Sequence, residues 1–170
     1  MNTDIVHILP SDFSPASRVW IYQSNRPFSA KEAVEIEEQL HQFTEQWNSH
    51  GTPVKGWGRL LFDQVIVLMA DESEAGVSGC STDSSVRIIK SMENQYSVNL
   101  FDRLALGFIV KEKLQLLPLA QVGYAIEKGY ISTDTIYLNN TVQTKGELEK
   151  HWLVPLKNSW LAGKLGLHAY

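Results

Sequence analysis

A chain of 170 residues is long enough to close one full hydrophobic core and too short for two ordinary domains. Its 44% hydrophobic and 20% charged residues are those of a folded globular protein, and the net charge of −4, with basic residues scattered along the chain, argues against nucleic acid as a partner. The longest apolar run, Val65 to Ala70, falls far short of the ~20 residues that span a bilayer, so no membrane association is expected. Met1-Asn2-Thr3-Asp4 lacks the basic start of a signal peptide, which leaves the cytoplasm as the expected location. There the single cysteine, Cys80, stays a free thiol, and the sequon Asn139-Asn140-Thr141 has no meaning.

Val19-Trp20-Ile21-Tyr22 is a β-branched and aromatic run that predicts the first strand, ended by Asn25-Arg26-Pro27. Ser29-Ala30-Lys31-Glu32 spells a capping box, and apolar residues at 33, 36, 40, 43 and 47 draw one stripe down a helix that should stop at His50-Gly51 before Pro53. Two extended runs, Gly58 to Phe62 and Val65 to Ala70, flank a turn at Asp63-Gln64, and the second reads as a strand buried on both faces. After an acidic loop, Asp71 to Ala75, the spacing of Val86, Ile89, Met92 and Tyr96 predicts a helix from about Ser84 to Tyr96. Leu104 to Val110 supplies a further strand.

Strand, helix, strand, strand, helix, strand is the order of a ferredoxin-like β-α-β-β-α-β core, so the expectation is an α+β fold in a single domain, 1–170, with that core over 15–112. Residues 113–170 form a packed α/β extension. It holds a helix from Pro118 to Lys128 stopped by Gly129, a strand Thr135 to Leu138, a turn at Asn139-Asn140, and a last helix opened by the capping box Thr144-Lys145-Gly146-Glu147. The apolar stretch Leu153 to Trp160 docks back on the body.

Chemistry concentrates at Ser78-Gly79-Cys80-Ser81-Thr82-Asp83-Ser84-Ser85, where a thiol, a carboxylate and several hydroxyls precede the second helix. If Asp83 or Thr82 caps that helix, Cys80 lies by its N-terminus, where partial positive charge favours a thiolate or binds an anion. Gly79, Ser81, Asp83, Ser84 and Ser85 would then hold a small anionic or carbonyl ligand, with His50 as general base and Arg103 and Trp160 as further contacts. The alternative is a buried structural cysteine beside residues that only satisfy the helix end. Asp71, Glu72 and Asp83 either share a cation or form a solvated loop. Trp57, between Gly56 and Gly58, is an aromatic in an irregular place where it would face a ligand.

Several chemistries fail on spacing. A tyrosine-phosphatase loop needs a histidine before the cysteine and an arginine after five residues, whereas Gly79 precedes Cys80 and Arg87 lies beyond six. No cysteine pair or zinc spacing exists, and no cofactor or metal is expected. Two functional classes stay open: a binding or assembly domain, self-associating or not, with its ligand at the Cys80 loop, and a cysteine-dependent enzyme or thiol sensor.

The combination of Val19-Trp20-Ile21-Tyr22-Gln23, Phe43-x-x-x-Trp47-x-x-His50-Gly51, the Ser78 to Ser85 motif and Asn158-Ser159-Trp160 resembles an uncharacterised bacterial family, mainly of the Bacteroidota, often labelled "ABC transporter ATPase". That label requires a Walker A loop, G-x-x-x-x-G-K-[ST], which neither Gly146 nor Ala162-Gly163-Lys164-Leu165 supplies. Without that cradle, ATP with magnesium is expected neither to be hydrolysed nor to raise the melting temperature. A ligand at about 100 times its Kd would add about 2.7 kcal/mol, so a saturable thermal shift would reinstate the label.

Overall fold

The computed structural model describes residues 1–73 and 79–167, and for 79–81 the backbone alone. Its secondary structure is α+β, as expected, and the chain divides into two compact units. The first comprises Val6–Asp102 with Gln143–Gly146; the second comprises Met1–Ile5, Arg103–Val142 and the chain from Glu147 on.

In the first unit, β1 (Arg18–Gln23) leads to α1 (Ala30–Gln46), whose capping box forms as predicted: the Ser29 hydroxyl accepts from the Glu32 N–H and the Glu32 carboxylate accepts from the Ser29 N–H. The helix ends at Gln46, earlier than its apolar stripe suggests, because Trp47 turns extended and is buried. A two-residue hairpin follows, β2 (Asn48–Ser49) and β3 (Thr52–Pro53). His50 and Gly51 form its turn with φ of 50° and 83°, the left-handed pair that a tight hairpin requires. His50 is therefore a turn residue and not a helix terminus.

Next come β4 (Lys55–Leu61), β5 (Val65–Asp71) and α2 (Gly79–Tyr96). The sheet order is β1-β5-β4, both pairings antiparallel, so β5 is inserted between two strands that are joined by α1. One face of the sheet, with Tyr22, Leu60, Ile66 and Leu68, packs against Ile36 and Leu40 of α1 and Ile89 and Met92 of α2. The two helices are also joined through Tyr96, whose hydroxyl donates to Glu35 (3.2 Å) and accepts from Gln39 (2.9 Å).

Three strands of the expected ferredoxin-like core thus hold their places, and the fourth does not. The strand at 105–110 belongs to the other unit and another sheet. On the outer edge of β1, where a fourth strand would pair, Gln143 accepts from the Val19 N–H (2.9 Å) and Thr144 bridges Arg18.

In the second unit, β6 (Ala105–Val110) pairs with β7 (Lys113–Pro118) through a turn in which Lys111 and Glu112 both have positive φ. After α3 (Leu119–Glu127), β8 (Ile136–Leu138), α4 (Lys145–His151, of which Glu147 onward belongs to this unit) and β9 (Leu153–Pro155), a 3-10 turn at Leu156–Asn158 leads into α5 (Trp160–Lys164). The sheet order is β7-β6-β8-β9, and its core gathers Phe108, Val122, Ala125, Tyr137, Leu156 and Leu161. The sequence carries no hairpin signature for β7, since Lys111-Glu112 lacks the Gly, Asn or Asp that marks a tight turn.

Glycine matters most where α1 crosses β4. A Cβ on Gly56 would lie 2.7 Å from Cε3 of Trp47, and one on Gly58 would lie 2.9 Å from Cδ2 of Leu68 and 3.5 Å from Cβ of Leu40. Gly56→Ala is expected to destabilise the fold by about 1–3 kcal/mol through overpacking. Gly123→Ala, on α3 with nothing within 4 Å of the added carbon, should stabilise it by roughly 0.5–1 kcal/mol. Urea denaturation of both variants checks the pair, and an unchanged Gly56→Ala midpoint would mean that Trp47 is not seated there.

Candidate functional site

The residues singled out in the sequence do not converge on one loop. Gly79, Cys80, Ser81, Asp83, Ser84 and Ser85 all lie within α2, whose first turn begins five residues earlier than the apolar spacing suggests. Asp83 is consequently an exposed residue of the helix body and not its cap. Ser85 is fully buried, and its hydroxyl donates to the carbonyl of Thr82 at 2.6 Å, one turn back. Ser78 and the side chains of Cys80 and Ser81 lie outside the described residues, as does the acidic loop beyond Ser73.

His50 is exposed at its hairpin turn, and β2 of that hairpin lies against α2. The element that carries His50 therefore neighbours the helix that carries Cys80. Arg103 and Trp160 are exposed residues of the other unit. Trp160 meets Tyr137 edge-on at 6.5 Å and has the Lys164 ammonium 5.8 Å from its ring.

A cleft of about 590 Å³ opens instead between α1 and β4. Glu37, His41, Thr44 and Glu45 form its helical wall, and residues 54–59 form its floor. Its chemistry follows from sheet order. β4 is an edge strand, so every second residue turns its N–H and C=O away from β5. Leu60 is one of these, since its N–H donates to the Glu37 carboxylate at 2.8 Å. Counting back by two reaches Gly58, Gly56 and Val54, and the Val54 N–H donates to the Trp47 carbonyl at 2.9 Å. Between these two closed positions the N–H and C=O of Gly56 and Gly58 face the cleft with no partner among the described residues. The missing side chains that admit α1 also leave this backbone accessible.

Trp57, singled out in the sequence, is half-buried and is one of the residues lining the cleft; its side chain alternates to the face opposite that of its neighbours, and the two glycines frame the opening. The available signal was glycine at i and i+2 in a strand pattern, which strips one face of side chains.

Charged groups around the floor are mostly engaged. The Glu37 oxygen that accepts from the Leu60 N–H also accepts from Nε of Arg59 at 3.3 Å, and the second oxygen stands 3.1 Å from that nitrogen. Lys55 donates to the Asp12 carbonyl (2.8 Å), meets the Asp12 carboxylate at 3.3 Å and the Asp71 carboxylate at 4.0 Å, and stands 4.9 Å from the centre of the Phe13 ring.

Asp71 is buried and is not available as a cation ligand. One oxygen accepts from the Ser14 N–H (2.9 Å), and the other accepts from the N–H and hydroxyl of Ser73 (2.9 and 2.7 Å). Glu72 faces Arg18 at 3.5 Å. No cluster of three His, Cys, Asp or Glu side chains fit to hold a metal exists among the described residues, and no described helix is long and apolar enough to cross a membrane.

The bonds from Ser14 and Ser73 hold the Asp71 carboxyl down at about 2 against an ordinary 3.8, with Lys55 adding to the same direction. A depressed pKa means stability that is present above the ordinary value and lost as pH falls from about 4 towards about 2. Asp71→Asn should cost roughly 2 kcal/mol at neutral pH and flatten the stability profile across that acid window, measured by urea denaturation at stepped pH. A variant with the wild-type profile would show that the N-terminal segment is held by other groups.

Compared with family models, curated proteins and solved structures, the chain matches none.

Proposed function

We propose that this protein is a non-catalytic binding module that takes up an extended peptide by adding a strand to the free edge of β4. The ATPase label of the resembled family is no part of this reading. The observation that carries it is the pair Gly56 and Gly58, whose outward N–H and C=O groups open into a cleft walled by α1. Elsewhere the same edge is guarded, by Glu37 on the Leu60 N–H and by the charged side chains of Lys55 and Arg59. An edge closed at both ends and open over two residues has room for a short strand and little tendency to run on into aggregation.

Magnitudes set the kind of binding to expect. Four backbone hydrogen bonds at roughly 1 kcal/mol net each amount to about 4 kcal/mol, which corresponds to a Kd of about 1 mM. Backbone pairing alone is therefore weak. It supplies register, and side chains of the guest must supply affinity and selectivity.

The test uses a capped seven-residue peptide of alternating threonine and valine, titrated into the ¹⁵N-labelled protein. Gly56 and Gly58 amide resonances should shift saturably. N-methylating the guest amides that face β4 should abolish the shift, and N-methylating the alternate set should not. Failure of both glycines to respond at millimolar peptide, or shifts that survive both methylation patterns, would overturn strand addition.

A further inference from the structure

We propose that the segment recognised at β4 carries a basic side chain, seated against Glu45 of α1; this rests on the strand-addition reading above. The cleft and the groups that hold its floor contribute four carboxylates, Asp12, Glu37, Glu45 and Asp71, against two permanent cations, Lys55 and Arg59. Both cations are already committed. Lys55 is held by Asp12 and Asp71, and Arg59 by Glu37, so neither is offered to a guest.

Glu37 is committed as well, to Arg59 and to the Leu60 N–H. The Thr44 hydroxyl donates to the His41 carbonyl at 3.0 Å, within its own helix. Glu45 remains. Its carboxylate stands 3.3 Å from Nε2 of His41, one turn earlier on α1, and its side chain is 66% exposed. No lysine or arginine stands within ion-pair distance of it among the described residues, so the helical wall presents a carboxylate without a permanent cation.

An ammonium or guanidinium on a strand paired to Gly56 and Gly58 would meet Glu45 across the cleft, while an acidic guest would meet an excess of like charge. The occupant that fits is therefore an extended peptide with lysine or arginine among its alternating residues. A second copy of this chain paired edge to edge fits worse, because the only basic side chains β4 itself would bring are those of Lys55 and Arg59, each already in an ion pair.

The experiment places lysine, norleucine or glutamate at the centre of the threonine and valine host and titrates each at pH 7.5, reading Kd from the Gly56 and Gly58 resonances. The order should be lysine, then norleucine, then glutamate, with roughly three- to tenfold between the extremes, the range of one exposed ion pair made or opposed. Glu45→Gln should remove the preference and Glu45→Lys should reverse it. Equal affinities with intact glycine shifts would overturn the basic guest and leave strand addition standing. Absent glycine shifts with all three peptides would overturn both. An order that survives Glu45→Lys would remove Glu45 from the assignment, and glycine shifts that depend on protein concentration without peptide would make a second copy the occupant.

Discussion

Everything in the first unit is arranged around β5. All seven of its residues, Val65 to Asp71, are buried, and both of its edges are paired, to β1 on one side and β4 on the other. Each large aliphatic side chain so enclosed is worth about 1.5–3 kcal/mol, which makes this strand the strongest demand the chain places on its own topology. A strand apolar on both faces cannot fix its own register by alternation. The neighbours do so: Gly56 and Gly58 must face α1, and Asp71 must reach Ser14 and Ser73 at the strand end. Once β5 takes the middle of a three-stranded sheet, β1 and β4 become its edges. The edge of β1 is taken by Gln143 and Thr144, and that of β4 is left partly open.

That opening and the seating of α1 have one cause. Leaving out the Cβ at 56 and 58 lets Trp47 and Leu40 approach the strand, at a conformational cost of about 0.5–1 kcal/mol for each glycine in an extended segment. The tilted contact of Trp47 with Phe43 (5.0 Å) and with Trp20 (5.8 Å) helps to offset it. The same omission uncovers the backbone on the solvent side. A packing solution and an accessible hydrogen-bonding edge are two readings of one pair of residues.

The cysteine segment shows how tertiary packing overrides a local signal. Ser81, Thr82, Asp83, Ser84 and Ser85 are residue types that compete with helix by bonding to nearby backbone, so on sequence they mark a cap before a helix. In the fold they lie inside α2, and the buried Ser85 satisfies itself on the carbonyl of Thr82, which is compatible with continued helix. His50 illustrates the converse. Next to Gly51 it looks like a helix stop, and the left-handed pair is instead spent on a hairpin that brings β2 against α2.

Much was legible in the chain itself. The class, β1, the capped start of α1, the buried β5, α3 ended by Gly129 and β8 all rest on periodicities and end signals that act within a few residues. Partner choice among strands was not legible, because Ala105–Val110 would suit either sheet by composition and only the competing claims of β7, β8 and the 143–146 segment decide where it pairs. The candidate site belongs to this second category. The glycines at 56 and 58 were in plain view, but an edge exists only once the sheet order is known, and sheet order is set by long-range burial of β5 that no local window contains.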